Sequence, residues 1–231
     1  MAKVIELFTV ERRLYSPDSI PWSALALPSA VQRLKERFKF TSFEQGNTPE
    51  GTAQIIWTGG EFARRDKVHP VLQLTLQPCI IEFQIGGTAE EADEFYGSLV
   101  SFISEVDPEK RLPESSQYAL TYQTIAIAQL SVESGSLFSR ELLDYLRDVV
   151  KPALQLPDAE ADIVWQQLSW SVKYREKTTD FVYRPKVLTI EPRAGSKATE
   201  RLFYTVSPTD SKTHIALLEK LESTLSARAG S

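Results

Sequence analysis

Residues 80–106, IIEFQIGGTAEEADEFYGSLVSFISEV, decide the fold class. Ile81, Phe83 and Ile85 alternate with Glu82 and Gln84, the period of a half-buried strand. Gly86-Gly87 ends that strand. Thr88 and Glu91 then stand at capping-box spacing. Glu90, Glu91, Asp93 and Glu94 crowd the first turn, where the helix dipole favours negative charge. Ala92, Phe95, Leu99, Phe102 and Val106 recur on one face, so the spacing predicts an amphipathic helix over 88–106. A strand that feeds such a helix belongs to a layered body of sheet and helix.

Working outward to the N-terminal side, residues 4–14 read as a strand with Val4, Phe8, Val10 and Leu14 mostly on one face. Pro17, Asp18 and Pro21 break it. Pro28-Ser29 opens a short helix with Val31, Leu34 and Phe38 as its stripe. Residues 53–62 form a strand, and Gly59-Gly60 near its end predicts a bulge or turn. Residues 71–76 alternate, with Leu72, Leu74 and Leu76 on one face. The phase changes at Gln77-Pro78, which argues for a tight turn or bulge before residue 80.

Toward the C-terminus, Pro108 and Pro113 bracket a joint. Residues 118–132 read as a long strand whose apolar phase shifts between Tyr122 and Ile125. Residues 137–154 read as a helix with Leu142, Leu146 and Val149 inside. Residues 163–175 and 181–190 make a hairpin around Thr178-Thr179, and 202–206 a further strand. Ser207-Pro208 reads as a helix start, with Ile215, Leu218, Leu221 and Leu225 as the buried stripe.

The element order is therefore β-α-β-β-β(-β)-α followed by β-α-β-β-β-α. This order resembles the repeat of the TATA-box-binding-protein-like fold and, less closely, helix-grip folds. The resemblance rests on element order and covers most of the chain. It implies an α+β protein with an extended antiparallel sheet built from two related halves, residues 1–110 and 111–231, with helices covering one face. It carries no functional residue across.

Composition narrows the function classes. The 231 residues are 42% hydrophobic and 25% charged, ordinary globular usage. Cys79 is the only cysteine, which excludes an intramolecular disulfide and favours a reducing compartment. The N-terminus interrupts its apolar residues with Glu6, Glu11, Arg12 and Arg13, unlike a secretory leader. No run approaches the roughly 20 apolar residues of a membrane span. The expectation is a cytoplasmic protein. Net charge is −5, and it is unevenly spread. Residues 1–67 hold 10 basic and 8 acidic side chains, residues 68–172 hold 5 and 16, and residues 173–231 hold 11 and 7.

No motif of known chemistry is present, so no catalytic residue, metal or cofactor is expected. The two histidines, His69 and His214, lack a G-x-S-x-G elbow or any other nucleophile signature. His214, in a first helical turn, reads as solvated. One cysteine and two distant histidines do not make a zinc site. Cys79 beside Ile80-Ile81 reads as a buried inert thiol. Residues 85–88 resemble a strand–glycine–helix phosphate cradle, but the four carboxylates that follow repel a phosphate, and a turn with an N-cap is the simpler reading. The acidic set Glu90, Glu91, Asp93, Glu94, Glu105, Asp107 and Glu109 reads as a solvated helix face.

Two features read as binding surfaces. Lys173, Arg175, Arg184 and Lys186 share one face of the 170–186 hairpin, with Lys173 opposite Arg184 and Tyr174 opposite Tyr183. Like charges across a ladder are unfavourable, so either solvent on an edge strand or an acidic partner must offset them. Arg193, Lys197 and Arg201 continue the basic run. Trp22, in the Ser19–Trp22 loop, reads as either an interface anchor or a buried side chain. Trp57, Trp165 and Trp170 read as core or edge packing. The functional expectation is a non-catalytic module that binds another protein, of adaptor, immunity or antitoxin-like kind. The alternatives are a nucleic-acid binder using residues 173–201, and an enzyme or small-molecule binder with a pocket between sheet and helices.

Overall fold

The computed structural model describes residues 2–17, 19–108, 112, 116–131, 167–172 and 186–229. Its elements are β1 (Lys3–Tyr15), α1 (Trp22–Leu25), α2 (Pro28–Arg37), β2 (Ser42–Asn47), β3 (Ala53–Arg64), β4 (Lys67–Gln77), β5 (Ile80–Gly86), α3 (Ala89–Val106), β6 (Gln117–Gln129), β7 (Leu168–Val172), β8 (Lys186–Pro192), β9 (Leu202–Ser207) and α4 (Ser211–Ala229). Among the described residues the strands form a nine-stranded sheet in the order β2-β3-β4-β5-β1-β6-β9-β8-β7. The pairs β1–β5, β2–β3, β3–β4, β4–β5, β7–β8 and β8–β9 are antiparallel. The protein is therefore α+β with an antiparallel sheet. The predicted helix over 137–154 lies outside the described residues.

The chain divides into two compact units. One comprises residues 7–125 with 208–212, and the other residues 1–6, 126–207 and 213–231. The core of the first is built from the alternation read in the sequence. Ile81, Phe83 and Ile85 are buried, and so are Ala92, Phe95, Leu99, Phe102 and Ile103 of α3. Val106 packs against this core only in part. Phe95 sits at the centre of an aromatic cluster, with ring centroids 4.9 Å from Phe83, 5.0 Å from Phe38 and 5.6 Å from Phe62, all edge-on. The edge-on geometry suits the ring quadrupoles and adds about 0.5–1.5 kcal/mol per pair beyond burial. Trp57 is buried, as packing predicts.

The turn at Gln77-Pro78 is a two-residue hairpin: Gln77 pairs with Ile80 across Pro78-Cys79. Cys79 therefore lies in a turn and is half-buried, not sequestered in a strand. The clean alternation of Leu72, Leu74 and Leu76 is broken instead by a bulge. The β4–β5 register shifts between Val71 and Gln73, so Val71, Leu74 and Leu76 are buried while Leu72 is 40% exposed. One extra residue reverses the face of whatever precedes it. By contrast, β3 runs through Gly59-Gly60 with no register shift against β4. The glycines serve close approach: Gly59 has φ +66°, and a Cβ on Gly60 would lie 2.4 Å from the Phe40 ring.

β1 departs furthest from expectation. Val4, Phe8, Val10 and Leu14 do share one face, but they are only half-buried. The buried face carries Thr9, Glu11 and Tyr15, with Arg13 between the last two. In β6 no phase shift occurs. Thr124, Ala126 and Ala128 are buried on one face and Ile125 and Ile127 are half-buried on the other.

In the second unit, Ala128, Leu130, Ile190, Phe203, Leu218 and Leu225 form the core. Ser207 ends β9 rather than capping a helix, and α4 begins at Ser211. Leu218 and Leu225 are buried, while Ile215 and Leu221 are half-buried. His214 is buried, not solvated, because it shares the inner face of α4 with Leu218 and Leu225. The β7–β8 pairing places Val172 opposite Lys186 and Trp170 opposite Leu188. A turn at Thr178-Thr179 sets Val172 opposite Pro185, so the observed register differs by one residue from that reading. No helix of the described residues is long and apolar enough to cross a membrane.

Candidate functional site

The residues nominated from sequence scatter. Lys173, Arg175 and Arg184 lie outside the described residues, and Lys186 enters only as the first backbone position of β8. Arg193 reaches Glu6 at 3.8 Å. Arg201 has φ +53° and donates from Nη1 to the Ser131 carbonyl at 2.8 Å. Both arginines are thus engaged within their own unit. Trp22 lies in the short helix α1 rather than a loop, and is half-buried against the core.

The phosphate-cradle geometry is filled by the chain itself. Glu91 Oε2 accepts from the Thr88 amide at 2.7 Å and from the Thr88 hydroxyl, completing the capping box. Ser211 Oγ accepts from the Ala89 amide at 3.0 Å. Burial alone raises the Glu91 carboxyl. The two Thr88 hydrogen bonds outweigh burial, with help from His69 and Arg64, and hold it below the usual carboxylate range. His69 is nearly buried in β4, with Nδ1 2.9 Å from the Gly86 carbonyl oxygen.

A polar cluster that the sequence reading did not nominate lies on the core-facing side of β1. Glu11 is 0% exposed. Its Oε1 accepts from Arg13 Nε, and its Oε2 has no hydrogen-bond partner among the described residues. Arg13 also donates to Gln117 Oε1 at 2.9 Å and to Asp93 Oδ1 at 2.7 Å, and its guanidinium lies 3.6 Å from the Tyr96 ring centroid. Tyr122 donates to the same Asp93 oxygen at 3.1 Å, and the Tyr15 and Tyr96 hydroxyls are hydrogen-bonded to each other. The cluster grades from exposed Asp93 through Arg13 to the floor at Glu11.

Burial raises the Glu11 carboxyl from 4.5 to about 7, against the opposing pull of Arg13. Desolvation disfavours the charged form, and one guanidinium does not cancel it. Burial likewise pushes the Tyr122 phenol upward, with Glu11 and Asp93 adding to it. Tyr15 is raised for the same first reason and then by Tyr96. Perturbed groups of this kind mark functional sites as well as structural networks. The signal available in the sequence was parity: Thr9, Glu11, Arg13 and Tyr15 share a face. Asp93 was legible only as one of many helix acids.

Two further surfaces stand out. An open pocket of ≈ 410 Å³ is lined by Arg33, Glu36, Arg37, Phe102 and Glu105. Arg33 and Arg37 both reach Glu105, at 3.5 and 2.7 Å. The other is the edge strand β2, all six residues of which are exposed. It pairs with β3 from Ser42 opposite Thr58 to Asn47 opposite Ala53. Phe43 is 40% exposed, with Lys35 Nζ 6.0 Å from its ring centroid. Gln45 reaches back to the Ala26 carbonyl at 3.5 Å, next to Leu27, which is 54% exposed. Among the described residues no group of three or more metal-ligating side chains is present. No known protein family, curated protein or solved structure matches this chain.

Proposed function

We propose that the protein is a non-catalytic interaction module that binds another protein, and that β2 is its docking edge. The supporting observation is that β2 stands first in the strand order, with no described strand on its far side and no buried residue. Edge strands are normally blunted by charged side chains, lysine above all, by proline or by a bulge. Ser42–Asn47 carries one charge, Glu44, but no lysine or proline, and its register with β3 is unbroken. Exposed Phe43 and Leu27 flank it with apolar surface. An extended segment of a partner satisfies the free main-chain groups by strand addition, while side-chain contacts supply selectivity.

The same proposal includes the two-half origin of the fold and a reducing, cytoplasmic location. Read outward from the β1–β6 pair, the strand order runs β1-β5-β4-β3-β2 on one side and β6-β9-β8-β7 on the other. The strands β5 and β9, next to that central pair, each lead into a long helix, α3 and α4. That correspondence supports a duplication.

The test is affinity purification from the native host with the wild-type chain and with Phe43→Asp and Leu27→Asp, followed by reconstitution with the protein recovered. The reading expects one partner that binds the wild type directly and is lost with the variants, whose circular dichroism is unchanged. Equal recovery by all three chains, or recovery of the free chain alone, removes it.

A further inference from the structure

Glu11 combines three features: no solvent exposure, one carboxylate oxygen without a hydrogen-bond partner among the described residues, and a guanidinium shared with a second carboxylate. The groups facing it come from each element packed around it. β1 supplies Arg13 and Tyr15, α3 supplies Asp93 and Tyr96, and β6 supplies Gln117 and Tyr122. On β5 its cross-strand partner is Phe83, and Arg13 stands opposite Ile81, so that side contributes no charge.

We propose that Glu11, Arg13 and Asp93 form a proton-sensitive latch that fastens the N-terminal half of α3 to β1. With Glu11 neutral, Arg13 and Asp93 balance each other, Tyr96 stacks on the guanidinium, and the three side chains together carry no net charge. With Glu11 ionised, its carboxylate, out of reach of solvent, competes with half-exposed Asp93 for one guanidinium. A buried charge without its full set of partners is costly. The site relieves it by admitting water beside Oε2, which separates Asp93 and its helix from Arg13. Proton uptake closes the latch and proton loss opens it. The switch sits near neutrality, where burial has moved the Glu11 carboxyl.

The experiment uses the full chain. The ¹³C shift of the Glu11 carboxyl is followed from about pH 4 to 9, and amide exchange of residues 92–97 is measured on either side of neutrality and corrected for base catalysis. The latch expects a midpoint within about one unit of 7. It expects protection to fall roughly tenfold or more above that midpoint, and to stay constant in Glu11→Gln. A midpoint at the ordinary carboxylate value overturns the proposal, as does the same loss of protection in Glu11→Gln. Should that variant fail to fold, Asp93→Asn decides. Removing the competing carboxylate leaves Arg13 to Glu11 alone, so the Glu11 midpoint must move down, and an unmoved midpoint overturns the proposal.

Discussion

Replacing Glu11 with Gln should stabilise this protein at pH 8, although it removes half of a buried ion pair. The carboxyl is raised from 4.5 to about 7 in the folded chain. That is about 2.5 units, and at about 1.4 kcal/mol per unit the folded state favours the neutral form by about 3–4 kcal/mol. The sign follows from proton binding. Between 4.5 and 7 the folded chain holds the proton that the unfolded chain has lost, so stability falls as pH rises through that window and is level above it. Glutamine mimics the neutral acid and still accepts from Arg13 Nε. The variant should match the wild type near pH 4 and exceed it by about 3–4 kcal/mol at pH 8. The assay is urea unfolding at a series of pH values, read at the amides of β1 and β5 so that the response belongs to the unit containing Glu11. A variant that is less stable at pH 8 by the roughly 3–5 kcal/mol typical of a broken buried pair would refute the reasoning. So would a stability difference that is the same at pH 5 and pH 8.

Phe95→Ala should cost about 3–5 kcal/mol in thermal or chemical unfolding, because the ring is fully buried and meets three other rings edge-on. The bulge in β4 predicts opposite outcomes for two nearby leucines. Leu72→Ser should change stability by no more than about 0.5 kcal/mol, whereas Leu74→Ala, at 0% exposure, should cost about 2–5 kcal/mol. Thr88→Ala should cost about 1 kcal/mol and speed amide exchange in the first turn of α3, since it removes the hydroxyl side of the capping box.

Strong local periodicity made most of the first unit legible. Residues 80–106 announce a strand, a glycine stop, a capping box and a helix, and each is present with the same buried residues save Val106 and Ile103. What the sequence hid was hidden for identifiable reasons. Leu72 lost its inward position to a one-residue bulge of β4 against β5. His214 is buried because it shares a helix face with Leu218 and Leu225, and the Ser-Pro pair that mimicked a cap lies in the loop before Ser211. The cluster at Glu11 was unreadable for a deeper reason. Periodicity assigns apolar residues to the inside, and β1 turns its polar parity inward. Only long-range partners make that tolerable: Asp93 lies 80 residues from Arg13 and Gln117 lies 104 away. The edge strand β2 was invisible because Ser42–Asn47 carries no alternation that announces a strand; pairing with β3 makes it one.

The bond from the Ala89 amide to the Ser211 hydroxyl spans 122 positions of sequence. It reaches from the start of α3 to a short segment, residues 208–212, that belongs to the same compact unit as residues 7–125. A ribosome releases these two pieces at different times. At about 5–20 residues per second, the 87 residues from 125 to 212 take about 4–17 s to appear. During that interval the first unit emerges with the leading end of its longest helix uncapped by Ser211, and it gains that bond only after residue 211 has appeared. The nascent first unit therefore passes through a stage less secure than the mature one, and this is when a chaperone or a protease would find it most accessible.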